Sequence, residues 1–160
     1  MKVHIMNESE IIAVLEGCEF FKKMGLGDLQ KISSLCQISE HQAGDYVFRQ
    51  GDYGDRLYVI SEGHVVLERS VDLGQRKGNV LIAHLGKGRM FGCWSTLIDV
   101  PHILMSNAVC QKPSRIISLK GSNLRAMMEA DKEAGFKLLE RLCFLLRDRI
   151  QAAYGAMDRI

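Results

Sequence analysis

The chain has 160 residues, of which 47% are hydrophobic and 25% charged, with a formal net charge of +2 at pH 7. That size and balance fit one hydrophobic core, and near-neutrality gives no reason to expect direct nucleic-acid binding. No apolar run approaches the ~18 residues of a membrane span, and the N-terminus MKVHIMNESE turns acidic too early for a signal peptide, so no membrane association and a cytoplasmic location are expected.

The cysteines Cys18, Cys36, Cys93, Cys110 and Cys143 are odd in number, far apart and without a C-x-x-C pair. They read as reduced thiols rather than a disulfide framework. The histidines His4, His41, His64, His84 and His102 are equally scattered. Neither a metal site nor a cofactor is expected from these spacings.

The chain reads as one domain, 1–160, in three parts. Residues 9–38 are helical in pattern. Ser9 is a candidate cap for a helix carrying Ile11, Ile12, Val14 and Leu15. Phe20 and Phe21 are expected to pack against a β unit. Leu26, Leu29, Ile32 and Leu35 then recur at three-residue spacing, with Gly27-Asp28 near the start of a second helix.

Residues 39–120 are the β part. The stretch HQAGDYVFRQGDYGDRLYVISEGHVVLE, 41–68, holds short alternating apolar runs separated by glycine turns. Tyr46 and Phe48 share one strand face. Leu57, Val59 and Ser61 alternate with Tyr58 and Ile60 on the next strand, and Gly63 separates that strand from Val65–Leu67. Gly74 to Gly78 reads as a hairpin tip. Beyond it, Val80, Ile82 and His84 should face one way, and Leu81, Ala83 and Leu85 the other. Short strands with glycine corners suggest a small antiparallel barrel or jelly roll.

Gly44-Asp45, Gly51-Asp52 and LYVISEGHV together resemble the double-stranded β-helix of the cyclic nucleotide-binding domain superfamily, with catabolite activator-type sensors among its members. The resemblance implies a mainly β fold: a jelly roll with N-terminal helices and a long C-terminal helix. It also implies that Phe91-Gly92 opens a phosphate-binding cassette over 91–108, where a short helix would aim backbone N–H groups at a cyclic phosphate. The segment reads FGCWSTLIDVPHILMSNA. Phe91, Gly92, Leu97, Ile98, Pro101 and Ala108 match the family pattern, and Ser95 is an acceptable small residue. Cys93 stands where the family has a Glu that accepts from the ribose hydroxyl. His102 stands where it has the Arg that pairs with the phosphate. Leu104 and Met105 replace a small residue and a hydroxyl residue, and Trp94 is bulkier than usual.

Arginine offers a permanently charged, bidentate fork, whereas an ordinary histidine is mostly neutral at physiological pH. Hydrogen bonds to charged groups contribute about 1.5–3 kcal/mol each. Losing the Arg fork and the Glu contact would therefore cost roughly 4–6 kcal/mol, or three to four powers of ten in affinity. Tight binding of cyclic AMP or cyclic GMP is not expected. Either Cys93, Trp94, Leu104 and Met105 fill the nucleotide's space, or they line a pocket for an apolar effector. Ser95, Thr96 and the N–H groups after Gly92 are candidates for a small anion, Arg89 for a compensating cation, and His102 for a haem ligand.

Residues 121–160 return to helix. Over 134–160, Leu138, Leu139, Leu142, Leu145, Leu146, Ile150, Ala153, Tyr154 and Met157 make a broad apolar face. Leu139, Leu142, Leu146, Ala153, Met157 and Ile160 also fit a loose coiled-coil seam, broken near Arg149. A homodimer through Leu139, Leu142, Leu146, Ile150, Ala153 and Met157 is expected. No helix-turn-helix is expected to follow, and no catalytic arrangement is recognisable. The expected protein is a stand-alone, bacterial-style regulatory sensor and not an enzyme, with a small-molecule effector and an unidentified protein partner for output. The alternative is a ligand-free interaction scaffold.

Overall fold

The computed structural model describes residues 6–98, 100 and 102–159. Pro101 of the expected cassette, Ile160 of the expected seam and His4 lie outside the described residues. Two short helices come first, α1 (Glu8–Glu16) and α2 (Leu26–Ser34). Strands follow as β1 (Gln37–His41), β2 (Tyr46–Phe48), β3 (Tyr53–Gly54), β4 (Arg56–Glu62), β5 (Val65–Asp72), β6 (Lys77–Leu85) and β7 (Met90–Gly92). A single-turn 3-10 helix, Trp94–Ile98, leads to β8 (His102–Ile103), β9 (Asn107–Cys110) and β10 (Ser114–Lys120). The chain then forms α3 (Gly121–Ala130) and the long α4 (Lys132–Met157).

The strands build two four-stranded antiparallel sheets, ordered β1-β10-β4-β7 and β2-β9-β5-β6, with β3 and β8 paired as a small ribbon. This is the mainly β roll with flanking helices that the glycine-punctuated sequence implies. The alternation read in β4 divides two cores. Leu57 and Val59 face the helices, where Leu15, Phe20, Phe21, Ile32, Leu124 and Leu138 join them. Tyr58 and Ile60 face the roll interior with Phe48, Leu67, Phe91 and Ile116. Phe20 and Phe21 are fully buried, ring centroids 4.9 Å apart. Each such side chain stabilises the helix–sheet contact by about 1.5–3 kcal/mol.

Three local expectations are refined. Asn7, not Ser9, caps α1: its side chain accepts from the Glu10 amide while Glu10 accepts from the Asn7 amide. This reciprocal pair satisfies two donors, which an isolated Ser cap does not. The β6 alternation slips at Ile82, because Leu67 pairs with Ala83 and Glu68 with Leu81. Ile82 is the extra residue of a bulge and packs against the roll interior beside Ala83. Leu26 is exposed, so α2 buries only Leu29, Ile32 and Ser33.

Candidate functional site

The cassette begins where β7 stops. Gly92 has φ +126, and a Cβ there would stand 2.5 Å from the Arg56 carbonyl oxygen, so only glycine fits. The Cys93 amide donates to Arg56 O at 2.9 Å and the Thr96 amide to Cys93 O at 3.3 Å. These two N–H groups are therefore taken by backbone carbonyls. The Cys93 thiol is buried, 3.4 Å from Ser95 Oγ and 3.9 Å from the His102 carbonyl oxygen. Trp94 turns its ring onto Phe20, edge-on at 5.5 Å.

The return half of the cassette is tied to the β2–β4 corner. His102 pairs with Gly54 and Ile103 with Tyr53. The Leu104 amide donates to Asp52 O and the Gly51 amide to Leu104 O, each at 2.8 Å. His102 Nδ1 lies 2.6 Å from Ile103 O. A carbonyl only accepts, so Nδ1 carries the proton. The imidazole that the sequence places at the family's arginine position thus has one of its two ring nitrogens committed to the backbone.

Between these segments lies a cavity of about 600 Å³. Of the expected site residues, Phe91, Gly92, Cys93, Trp94, Ser95, His102 and Met105 line it. Thr96 and Arg89 do not. Thr96 is buried with its hydroxyl donating to Cys93 O at 2.8 Å, packed beneath Gly121 at the start of α3. Arg89 Nε lies 2.9 Å from Glu19 Oε2 in an ion pair outside the cavity wall. Arg125 of α3 donates to Leu97 O at 2.9 Å, a second tie between that helix and the cassette.

The C-terminal helix crosses this site. Leu146, Arg149, Ile150 and Ala153 of α4 form part of the cavity wall. Leu142, also expected in the seam, is buried in the helix–sheet core, whereas Leu139 and Met157 are exposed. Sequence reasoning missed Arg149 as a site residue, although the break in the seam marked its position. It also missed Phe48, Leu67, Arg69 and Ile82 on the wall. Arg149 donates to Met90 O at 2.6 Å and approaches Glu19 Oε1 at 3.5 Å. Burial pushes its pKa down, and the Glu19 charge opposes that shift. Glu19 thus serves two guanidiniums at once, and its backbone carbonyl also accepts from Arg141.

No carboxylate is among the described residues lining the cavity. A smaller cleft of about 340 Å³, between α2 and α3, is lined by Lys31, Ser34, Leu35, Asn123 and Met127 without any cassette residue. Among the described residues no group of three or more His, Cys, Asp or Glu could hold a metal ion. No helix among them is long and apolar enough to cross a membrane.

Residues 38–131 match the family model described as the cyclic nucleotide-binding domain. The chain is 28% identical over 163 aligned positions to a cGMP-dependent protein kinase of Drosophila melanogaster, covering 99% of this chain but 15% of the kinase. It is 27% identical over 146 positions to the cAMP-dependent protein kinase regulatory subunit of Schizosaccharomyces pombe, covering 81% of this chain and 33% of that protein. The chain therefore spans a third or less of the length of these relatives. A solved cyclic nucleotide-binding domain from Methylobacillus flagellatus superposes with a TM-score of 0.75 at 24% identity, over 96% of this chain and 82% of that one.

Proposed function

Because this chain belongs to the cyclic nucleotide-binding domain family, a family of regulatory modules, we propose that it senses a small effector other than a tightly bound cyclic nucleotide. The observation that carries this reading is the open cavity of about 600 Å³ with Cys93 and His102 on its wall. The volume lies within the range of small-molecule sites, which favours a ligand over a ligand-free scaffold. An imidazole whose Nδ1–H is committed to Ile103 O offers no bidentate fork, which supports loss of the phosphate contact. A thiol in place of a carboxylate supports loss of the ribose contact.

Output would travel through α4, whose Leu146, Arg149, Ile150 and Ala153 sit on the effector's side of the helix. An effector that binds better with α4 against the cassette shifts the population toward that arrangement. The outer side of α4 supports a homodimer. Phe136, Leu139 and Met157 of α4 are apolar and do not line the cavity. They are 68%, 39% and 61% exposed, enough apolar surface for a second copy to cover.

Thermal melting tests the nucleotide half of this proposal. At about 100 μM cyclic AMP or cyclic GMP, a Kd of roughly 100 μM or weaker stabilises by no more than about 0.4 kcal/mol. The expected rise in Tm is below about 2 °C. A rise above about 6 °C, the mark of a Kd near 1 μM, would overturn it.

A further inference from the structure

The cavity wall has a definite chemical bias. Phe48, Leu67, Ile82, Phe91, Leu104 and Leu146 make it mainly apolar. At its mouth Ile103, Met105 and Ile150 line the cavity yet are 52%, 65% and 53% exposed. The apolar surface therefore runs out of the cavity into solvent. An exposed rim continuous with an apolar interior suits an elongated apolar body better than a compact polar one.

Among the described residues the charge on the same wall has one sign: Arg69 and Arg149 line the cavity and no carboxylate does. Arg69 is exposed and donates to Met105 O at 2.5 Å, where water screens its charge. Arg149 is different. Its side chain is only 14% exposed, and its Nε is buried without a hydrogen-bond partner. Glu19, its one carboxylate contact among the described residues, is also paired with Arg89, while nearby Asp148 lies 3.1 Å from Arg147. Two guanidiniums on one carboxylate leave a net positive charge at a partly desolvated wall, where an anion is worth more than in water.

We propose that the cavity binds an amphipathic monocarboxylate, its apolar body along the Phe91–Leu104 wall and its carboxylate drawn to Arg149. This deepens the sensor reading and rests on it. The carboxylate supplies the second negative charge that Glu19 cannot, and the body covers Ile103, Met105 and Ile150. The ligand would bridge cassette and α4, so that its binding holds the helix down.

Decanoate and decanol share an apolar chain and differ in the charged head. Trp94, the one tryptophan of the chain, is on the cavity wall and reports binding by fluorescence. Decanoate should quench or shift Trp94 emission with a Kd about 10- to 100-fold lower than decanol's, the range of a hydrogen bond to a charged group. Arg149→Gln should remove that preference while decanol binding persists, and Arg149→Lys should retain part of it. Circular dichroism melting of both variants checks that they fold, and decanol binding checks that the cavity survives. Equal affinity for the two probes, no response of Trp94 to either, or an undiminished preference in Arg149→Gln would overturn the proposal. If cyclic AMP meanwhile binds weakly, only the carboxylate assignment fails. Binding of cyclic AMP below about 1 μM would instead remove the sensor reading beneath it.

Discussion

Gly121→Ala probes how firmly the cassette is fastened to the helix that follows the roll. Gly121 opens α3, and its amide donates to Asp55 O at 3.0 Å. A Cβ there would overlap the Thr96 hydroxyl and Cβ, while Thr96 is 3% exposed and its hydroxyl is held by Cys93 O. Neither partner has room to retreat. In an unobstructed helix the change would stabilise by about 0.5–1 kcal/mol. Overpacking of a tight site costs about 1–3 kcal/mol, so the net effect should be a loss of about 1–2 kcal/mol. For a chain of this length that lowers Tm by about 2–8 °C. Gly155→Ala is the matched control, because nothing lies within 4 Å of its added Cβ, and it should raise Tm slightly. Adding Thr96→Gly to Gly121→Ala should cancel the Gly121→Ala penalty measured in the double-mutant cycle. If Gly121→Ala raises Tm as Gly155→Ala does, the cassette is not clamped by α3 as described.

Three further outcomes are expected. Leu139→Asp with Met157→Asp places charges on the face of α4 away from the cavity, so sedimentation at about 50 μM should find the unmutated protein dimeric and the variant monomeric; a monomeric unmutated protein would refute the dimer. Burial raises the pKa of Cys18 to about 11 and of Cys36 to about 12, whereas Cys143 is exposed, so a thiol reagent near pH 8 should label Cys143 first and Cys18 and Cys36 only on unfolding. Because those two folded-state values lie above the ordinary thiol value of 9.0, the unfolded chain loses its thiol protons first; the contribution of these two thiols to stability should be flat below pH 9 and fall as pH rises toward 11 to 12, and a Tm unchanged over that alkaline window would refute the burial argument.

The roll was legible because its information is local. Glycines at Gly44, Gly51 and Gly63 adopt positive φ, and the Leu57–Ile60 alternation assigns each side chain to a core without reference to the rest of the chain. Phe91-Gly92 was placed at the opening of the cassette by resemblance to the family, and the structure adds that the turn at Gly92 has no room for a Cβ. The wall of the cavity was less legible, since it is assembled from distant segments. Ile82 turns inward through a bulge that strict alternation does not foresee. Adjacent apolar pairs on α4, such as Leu138-Leu139 and Leu142-Cys143, look like one broad face in sequence. Packing splits them: Leu138, Leu142 and Leu145 go to the core, while Leu139, Cys143 and Ile150 stay outside or at the cavity mouth. Arg149 read as a flaw in a seam because its partners, Glu19 and Met90, lie 130 and 59 residues away.

The central claim is that the family's cassette backbone is kept while two side chains, Cys93 and His102, have changed what it can hold. Calorimetric titration of cyclic AMP and cyclic GMP into the unmutated protein and into Cys93→Glu with His102→Arg tests it most directly. The account predicts a Kd of about 100 μM or weaker for the former and at least a tenfold gain in the double variant, since each restored charged contact contributes about 1.5–3 kcal/mol. A Kd below about 1 μM for the unmutated protein would contradict it.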